Sequence, residues 1–354
     1  MFSPNDIRYK AEELTDFAVQ MLQRTGLAGD RAQIVAEALV ESDLMGHTTH
    51  GLQLLSLYLT QLENGKMKKT GEPIVVQDRG AAVTWDGQYL PGAWLMHLGM
   101  ELAFERIAQH PVVTLVIRRS HHIGCLAVYP PQATARKLMM LLTCSDPSAA
   151  FVAPHGGKTP VYTPDPLAAG ISTSGAPIIL DISMSTIAVG TALRHRKSQE
   201  PLAHPWIIDN AGQPSTDAGV VFDEPRGAIL PLGGLDLGYK GFALGLLIEA
   251  LTSALAGHGR ADAPDQFGAS VFMQIIDPAA FGGLDSFLNE TTWLSEACRQ
   301  SQPISEENPV RLPGERALKL REEQLKFGVQ LAPSIFPSIE KWVEKYGIPF
   351  PKTL

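Results

Sequence analysis

Apolar positions in the opening of the chain recur at three- and four-residue spacing, the signature of helices with one buried face. Ile7, Leu14, Phe17, Ala18, Met21 and Leu22 predict a helix over 5–25, with Asn5 as its N-cap and Gly26 as its stop. Ile34, Val35, Ala38, Leu39 and Leu44 predict a second helix from about residue 30 to Gly46, and LQLLSLYLTQLENG a third that stops at Gly65. The pattern then changes. Residues 71–86 read as two short strands with turns at Asp78-Arg79-Gly80 and Asp86-Gly87, and 96–109 as a helix. Behind Pro111, residues 112–117 form a β-branched, apolar run of the length expected for a buried strand. Residues 126–137 read as a helix interrupted by Pro130-Pro131, and 138–143 as a further strand. A stretch dense in glycine and proline leads to an apolar strand at 178–180. The polar residues 194–217 read as an excursion across the surface. Helices are predicted over 242–255, 285–299, 313–328 and 334–347, and a strand over 271–276. Helices at both ends with alternating elements between them predict a helical domain built from both chain ends around an α/β domain.

Composition narrows the function classes. Hydrophobic residues at 45% and charged ones at 19% suit an ordinary globular protein with a large core. The formal net charge of −8 gives no basic face for nucleic acid. The start, MFSPNDIRYKAEEL, lacks the basic and apolar pattern of a signal peptide, and the most apolar run, 242–255, is too short to span a bilayer and contains Glu249. Cys125, Cys144 and Cys298 are too few and too widely spaced for a disulfide framework or a structural zinc site. A soluble cytoplasmic protein is expected.

The candidate chemistry lies at the end of the 112–117 strand, where Arg118, Arg119, Ser120, His121 and His122 form a polar turn closed by Gly124. A strand end followed by a short loop holds side chains rigidly, and histidine transfers protons near neutral pH. The HTTHG segment places His47 and His50 three residues apart, as on a helix face, but a zinc hydrolase also needs a third ligand and a general base. No metal is expected there; His50 is better read as a polar contributor to a cleft. No GxGxxG or GxxxxGK[ST] fingerprint follows any strand, so a standard dinucleotide fold is not supported. Turns at His155-Gly156-Gly157, Leu232-Gly233-Gly234 and 313–315 could bring backbone N–H groups to phosphates.

Taken together, the motifs resemble the malate/L-lactate dehydrogenase family of the non-Rossmann type, which includes ureidoglycolate, sulfolactate and cyclic-imine 2-carboxylate members. SDLMGHTTHGLQLLSLYLTQLENGKM matches the family pattern through Asp43, Gly46, Thr49, His50, Gly51 and Tyr58. RRSHHIG matches its catalytic turn; PHGG, DISMS, LPLGG, GYKGFALGLLIEAL and PGE follow in the family's order. The resemblance implies hydride transfer between NAD or NADP and a 2-hydroxy or 2-amino acid (2-oxo or 2-imino acid in reverse). It implies an α/β fold with a non-Rossmann nucleotide-binding domain, a largely antiparallel sheet and a helical domain, assembled as a homodimer. The helical substrate and dimer domain would comprise 1–70 and 315–354, with 71–110 connecting it to the cofactor-binding domain at 111–314. By matched position His122 is the general acid/base, with His50 and Thr49 in the substrate cleft. Ser145, Asp181, Ile182, Ser183, Leu232, Gly233, Gly314 and Glu315 match cofactor-binding positions.

Three departures cluster at the substrate end. Leu54 stands where many members have a carboxylate-pairing arginine, so Arg118, Arg119 or Lys158 are expected to supply that charge. Thr163-Pro164-Asp165-Pro166 replaces Gly-Thr-Asn-Pro, and Arg119 and His121 replace two asparagines, which puts His121 among the candidate substrate contacts. The same departures leave open a cofactor-binding pseudo-enzyme or regulatory protein. A metal hydrolase using His47, His50 and His122 stands third.

Overall fold

The structure, a computed structural model, describes residues 7–354. A seven-stranded sheet forms its centre. In chain order the strands are β1 (Ile74–Asp78), β2 (Ala82–Asp86), β3 (Val112–Ser120), β4 (Met139–Ser145), β5 (Leu167–Ile171), β6 (Ile178–Ile182) and β7 (Ala269–Ile276). Across the sheet they run β1-β2-β3-β7-β4-β5-β6. All neighbours are antiparallel except β2 and β3. That parallel pair needs a crossover, and α1 of the sheet layer (Gly92–Arg106) supplies it. β3 is apolar on both faces because both are covered. Val113, Leu115 and Ile117 join the large cluster under the crossover helix, while Val116 packs with Phe272 and Ala256 on the other face.

Helices from the two chain ends share a second apolar cluster. It joins Leu14 and Met21 of Ala11–Arg24, Val35 and Leu39 of Gly29–Leu44, and Leu59 and Leu62 of Leu55–Glu63 to Ile335, Ile339 and Trp342 of Ile335–Tyr346. A two-stranded ladder, Arg8–Tyr9 with Val329–Gln330, ties the ends together. The first helix starts at Ala11, behind that strand; Asn5 lies outside the described residues.

Four local expectations change. β3 continues through Arg118, Arg119 and Ser120, so these residues belong to the strand rather than to the turn. The register with β7 shifts there (Ala269 faces Ser120, Val271 faces Ile117), a bulge that leaves Arg119 at φ +50°. Residues 74–106, expected as a connection, supply two strands of the sheet and the helix packed on it. β5 (LAAGI) went unpredicted because its residues are small. A Cβ at Gly170 would lie 2.8 Å from Pro130 and Thr134, so the short helix Pro130–Thr134 packs directly on the strand. That helix carries its prolines in the first turn, where a missing N–H costs no intrahelical bond. Finally, 194–217 is no loose excursion. Ala192, Leu202, Ile207, Ala218 and Val221 pack with Val152, Tyr162 and Ile229 in a core of their own, beside a small sheet of Ile207–Ile208, Pro214–Ser215 and Ala228–Ile229.

Candidate active site

Beyond the bulge, residues 121–125 leave the sheet as a short loop fixed at several points. His121 N–H donates to Leu90 O at 3.1 Å, and the Tyr129 hydroxyl donates to Ile123 O. Inside the loop, Gly124 N–H donates to His122 Nδ1 at 3.2 Å. From the helical cluster, Tyr58 of Leu55–Glu63 brings its hydroxyl to 2.8 Å from the same Nδ1. A backbone N–H can only donate, so Nδ1 of the neutral ring accepts and the ring proton sits on Nε2. The imidazole lies between two near-parallel rings, His50 at 5.7 Å and Phe267 at 5.6 Å. Burial, helped by the neighbouring His50 and His121, pushes the His122 ring down to about pKa 3.

His50 arrives on the turn after Gly29–Leu44. Asp43, near the end of that helix, is buried and accepts the Leu52 N–H at 2.7 Å through Oδ2, which fixes the far side of the turn. Its other oxygen has no partner, and burial raises its pKa to about 7. Thr49 Oγ1 lies 2.9 Å from His50 Nδ1. Burial lowers the His50 pKa, while the Asp181 carboxylate opposes that and His47 adds to it.

Two cavities meet at this point. The first, about 440 Å³, is lined by Thr49, His50, His122, Ser145, Asp181 and Ser183 among others. The second, about 420 Å³, includes Gly314, Arg311 and Arg316 in its wall, and shares His47 and Asp181 with the first. Asp181 Oδ2 accepts the Ala127 N–H at 3.0 Å and faces Cys125 Sγ at 3.5 Å. Ser145 Oγ is engaged by Thr252 at 2.8 Å and Ser253 at 3.2 Å.

Seven residues expected at the site therefore line one cleft: Thr49, His50, His122, Ser145, Asp181, Ser183 and Gly314. The others do not line it. Arg118 and Arg119 both turn to the buried Asp86, their Nε atoms at 3.1 and 3.0 Å from its carboxylate, because an otherwise unpaired buried charge would be costly. His121 is fully buried between the edges of Tyr58 and Phe267, with neither ring nitrogen partnered. Lys158 is exposed beside Gly212. Ile182 and Leu232 are exposed, and Gly233 caps the helix Gly234–Glu249. Glu315 accepts the Leu312 N–H and pairs with Arg299 at 3.3 Å. The sequence reading missed Phe267, Arg311 and Arg316. A lone aromatic and two scattered arginines carry no motif, and only the fold brings them to the cleft.

A largely antiparallel sheet with a histidine cleft at the end of a central strand, and no glycine fingerprint, defines an α/β protein outside the Rossmann group. Residues 9–340 match the sequence model of the malate/L-lactate dehydrogenase family, and the chain belongs to that family. It is 32% identical over 344 residues to an L-lactate dehydrogenase of Cupriavidus necator, covering 94% of this chain and 96% of that protein. It is 30% identical over 321 residues to a (2R)-3-sulfolactate dehydrogenase (NADP(+)) of Chromohalobacter salexigens, covering 88% and 91%. Among solved structures, a dehydrogenase from Sinorhizobium meliloti superposes with a TM-score of 0.83 at 28% identity, covering 95% of this chain and 97% of that one. A malate dehydrogenase from Entamoeba histolytica shares the fold, with a TM-score of 0.90 at 22% identity over 98% and 99%. No helix among the described residues is long and apolar enough to cross a membrane.

Proposed function

We propose that this chain is an oxidoreductase that transfers a hydride between NAD or NADP and a 2-hydroxy acid (2-oxo or 2-imino acid in reverse), with His122 as its general acid/base. The observation that carries the reading is the ring of His122, held at Nδ1 by Tyr58 and Gly124 and facing a cavity that it shares with His50. The donor set fits a dinucleotide. Arg311 and Arg316 suit phosphates, Asp181 and the serine hydroxyls suit ribose or amide groups, and Leu126 and Phe267 provide apolar wall. When bound, the nicotinamide supplies the hydride acceptor or donor.

The protein's part is the proton. In alcohol oxidation the neutral ring must first exchange to the tautomer with its proton on Nδ1, donated to the Tyr58 hydroxyl, and the freed Nε2 then accepts the hydroxyl proton. In reduction the charged ring gives the Nε2 proton to the forming alkoxide. Tyr58 can donate to or accept from Nδ1, so the ring changes charge without losing its partner. His50 and Thr49 border the same space and orient the substrate. Leu54 packs partly buried against the helical cluster, and no lysine or arginine lines the larger cavity among the described residues. That wall favours substrates without a second carboxylate.

The test is a fluorescence titration with NADH and NADPH, followed by turnover on a panel of 2-oxo acids. Binding with turnover supports the reading; no binding of either cofactor overturns it. The pH profile sharpens it. Because His122 in the free protein is already neutral near pH 5, kcat/KM for reduction is expected to fall about tenfold per unit from about pH 5 to 8. For oxidation this group imposes no such slope. A flat reduction profile would exclude His122 as the proton donor.

We also propose a homodimer. On the helix Gly234–Glu249, Leu237, Leu244 and Leu247 are exposed at spacings that place them along one face, continued by Leu255 beyond its end. Changing Leu244 and Leu247 to Asp together is expected to convert a dimer to a monomer by light scattering; a wild-type monomer would overturn this part.

A further inference from the structure

His47, Cys125 and Asp181 come from three distant segments, and each offers a ligand atom within 4.8 Å of the others. The Cys125 thiol already lies 3.5 Å from Asp181 Oδ2. Zinc held by sulfur, nitrogen and oxygen at its usual bond lengths sets its ligands about 3.3–3.7 Å apart, so only the His47 ring has to move inward, by about an ångström. That ring is half-buried and has no side-chain hydrogen bond or ion pair among the described residues, so the movement breaks none. The sequence reading paired His47 with His50 along the chain; the fold instead brings it to a thiol and a carboxylate. On the side of the larger cavity the wall carries Asp146, Asp165 and Asp181 and no lysine or arginine, while Arg311 and Arg316 stand in the wall of the other cavity that His47 and Asp181 share.

We propose that His47, Cys125 and Asp181 form a binding site for zinc, or a similarly thiophilic divalent cation, whose occupation blocks the cofactor cleft. On binding, the Cys125 S–H bond is replaced by an S–Zn bond and its proton leaves to solvent. The Asp181 carboxylate and the neutral imidazole of His47 bind without losing a proton. Thiolate and carboxylate together balance the two positive charges, and the fourth tetrahedral position stays open to water from the cavity. Because His47 and Asp181 belong to both cavities, a cation there stands at the passage between them. It also occupies the Asp181 carboxylate that the proposed function assigns to the cofactor. The site is therefore inhibitory, and only the inhibition rests on that functional reading.

Binding is tested first with Co²⁺ on the full-length protein, without cofactor or turnover. One bound cobalt with a thiolate-to-metal charge-transfer band and the strong visible absorption of a tetrahedral site is expected, both displaced by Zn²⁺. Cys125→Ser should abolish the thiolate band, and His47→Gln should weaken Zn²⁺ binding by more than about tenfold, since even outer-shell changes cost that much. Circular dichroism of both variants separates ligand loss from misfolding. The second arm measures NADH binding, by its fluorescence, against Zn²⁺. Competition that is lost in His47→Gln is expected. Cobalt bound without the thiolate band, or zinc affinity unchanged in a folded His47→Gln protein, overturns the site. Zinc bound together with undiminished NADH affinity overturns the inhibition alone, whereas failure of NADH to bind the metal-free protein overturns the functional reading and leaves the cobalt result standing.

Discussion

His122→Asn is expected to lower kcat by about a hundred- to ten-thousandfold, the usual range for removing a positioned general acid/base, while NADH affinity changes little. Asparagine keeps a polar group in the loop and can still accept from Gly124 N–H, so the geometry around residues 121–125 should survive. What it cannot do is carry a proton to or from the substrate. The effect should appear in kcat in both directions, and the slope of the reduction profile with pH should disappear with it. Tyr58→Phe is the informative companion. It leaves His122 in place but removes the hydroxyl 2.8 Å from Nδ1, so a smaller loss with a shifted pH profile is expected. A loss of less than about tenfold in a folded His122→Asn protein would move the proton route elsewhere, and His50, stacked at 5.7 Å, would be the first alternative.

The candidate residues legible in the sequence were those whose placement travels with a local segment. His122 and His50 each sit in a short polar stretch between apolar runs, and those stretches become loops at the cleft. Both end helices were visible in their periodicity, and the bundle they form shares one core. What the sequence concealed depends on long-range pairing. Arg118 and Arg119 looked available to a substrate because the chain does not show that Asp86, 32 and 33 residues earlier, lies on the parallel neighbour of their strand. The bulge at the same place was hidden for the same reason, since register is a property of two strands. β5 was lost because packing against a helix selected small residues over β-branched ones, and a run such as LAAGI carries little strand signal by itself. Phe267, Arg311 and Arg316 are functional candidates only by virtue of where the fold leaves them.

The same distinction makes Gly92→Ala a sharp test of the structure. From the sequence alone the change should help, because Gly92 opens the helix Gly92–Arg106 and alanine is a better helix former by about 1 kcal/mol. The fold reverses that sign. A Cβ at Gly92 would stand 2.7 Å from the His122 carbonyl carbon and closer still to the carbonyl oxygens of His121 and His122. These are backbone atoms, so no rotamer change can clear them. They are also tethered on both sides, by the His121 N–H bond to Leu90 O and by the pairing of Ser120 with Ala269. Either the helix start or the histidine loop must shift. Overpacking of this kind costs about 1–3 kcal/mol, enough to outweigh the propensity gain. The larger consequence is catalytic, because a displacement of about 1 Å in a positioned group costs about a hundredfold in rate. Gly92→Ala should therefore lower the denaturant midpoint and reduce kcat by far more than the stability loss implies. Gly282→Ala, where an added Cβ meets nothing within 4 Å, should leave both unchanged. A Gly92→Ala protein as active as wild type would mean that the loop holding His122 is not pressed against this helix, and the geometry argued for its proton transfer would fall with it.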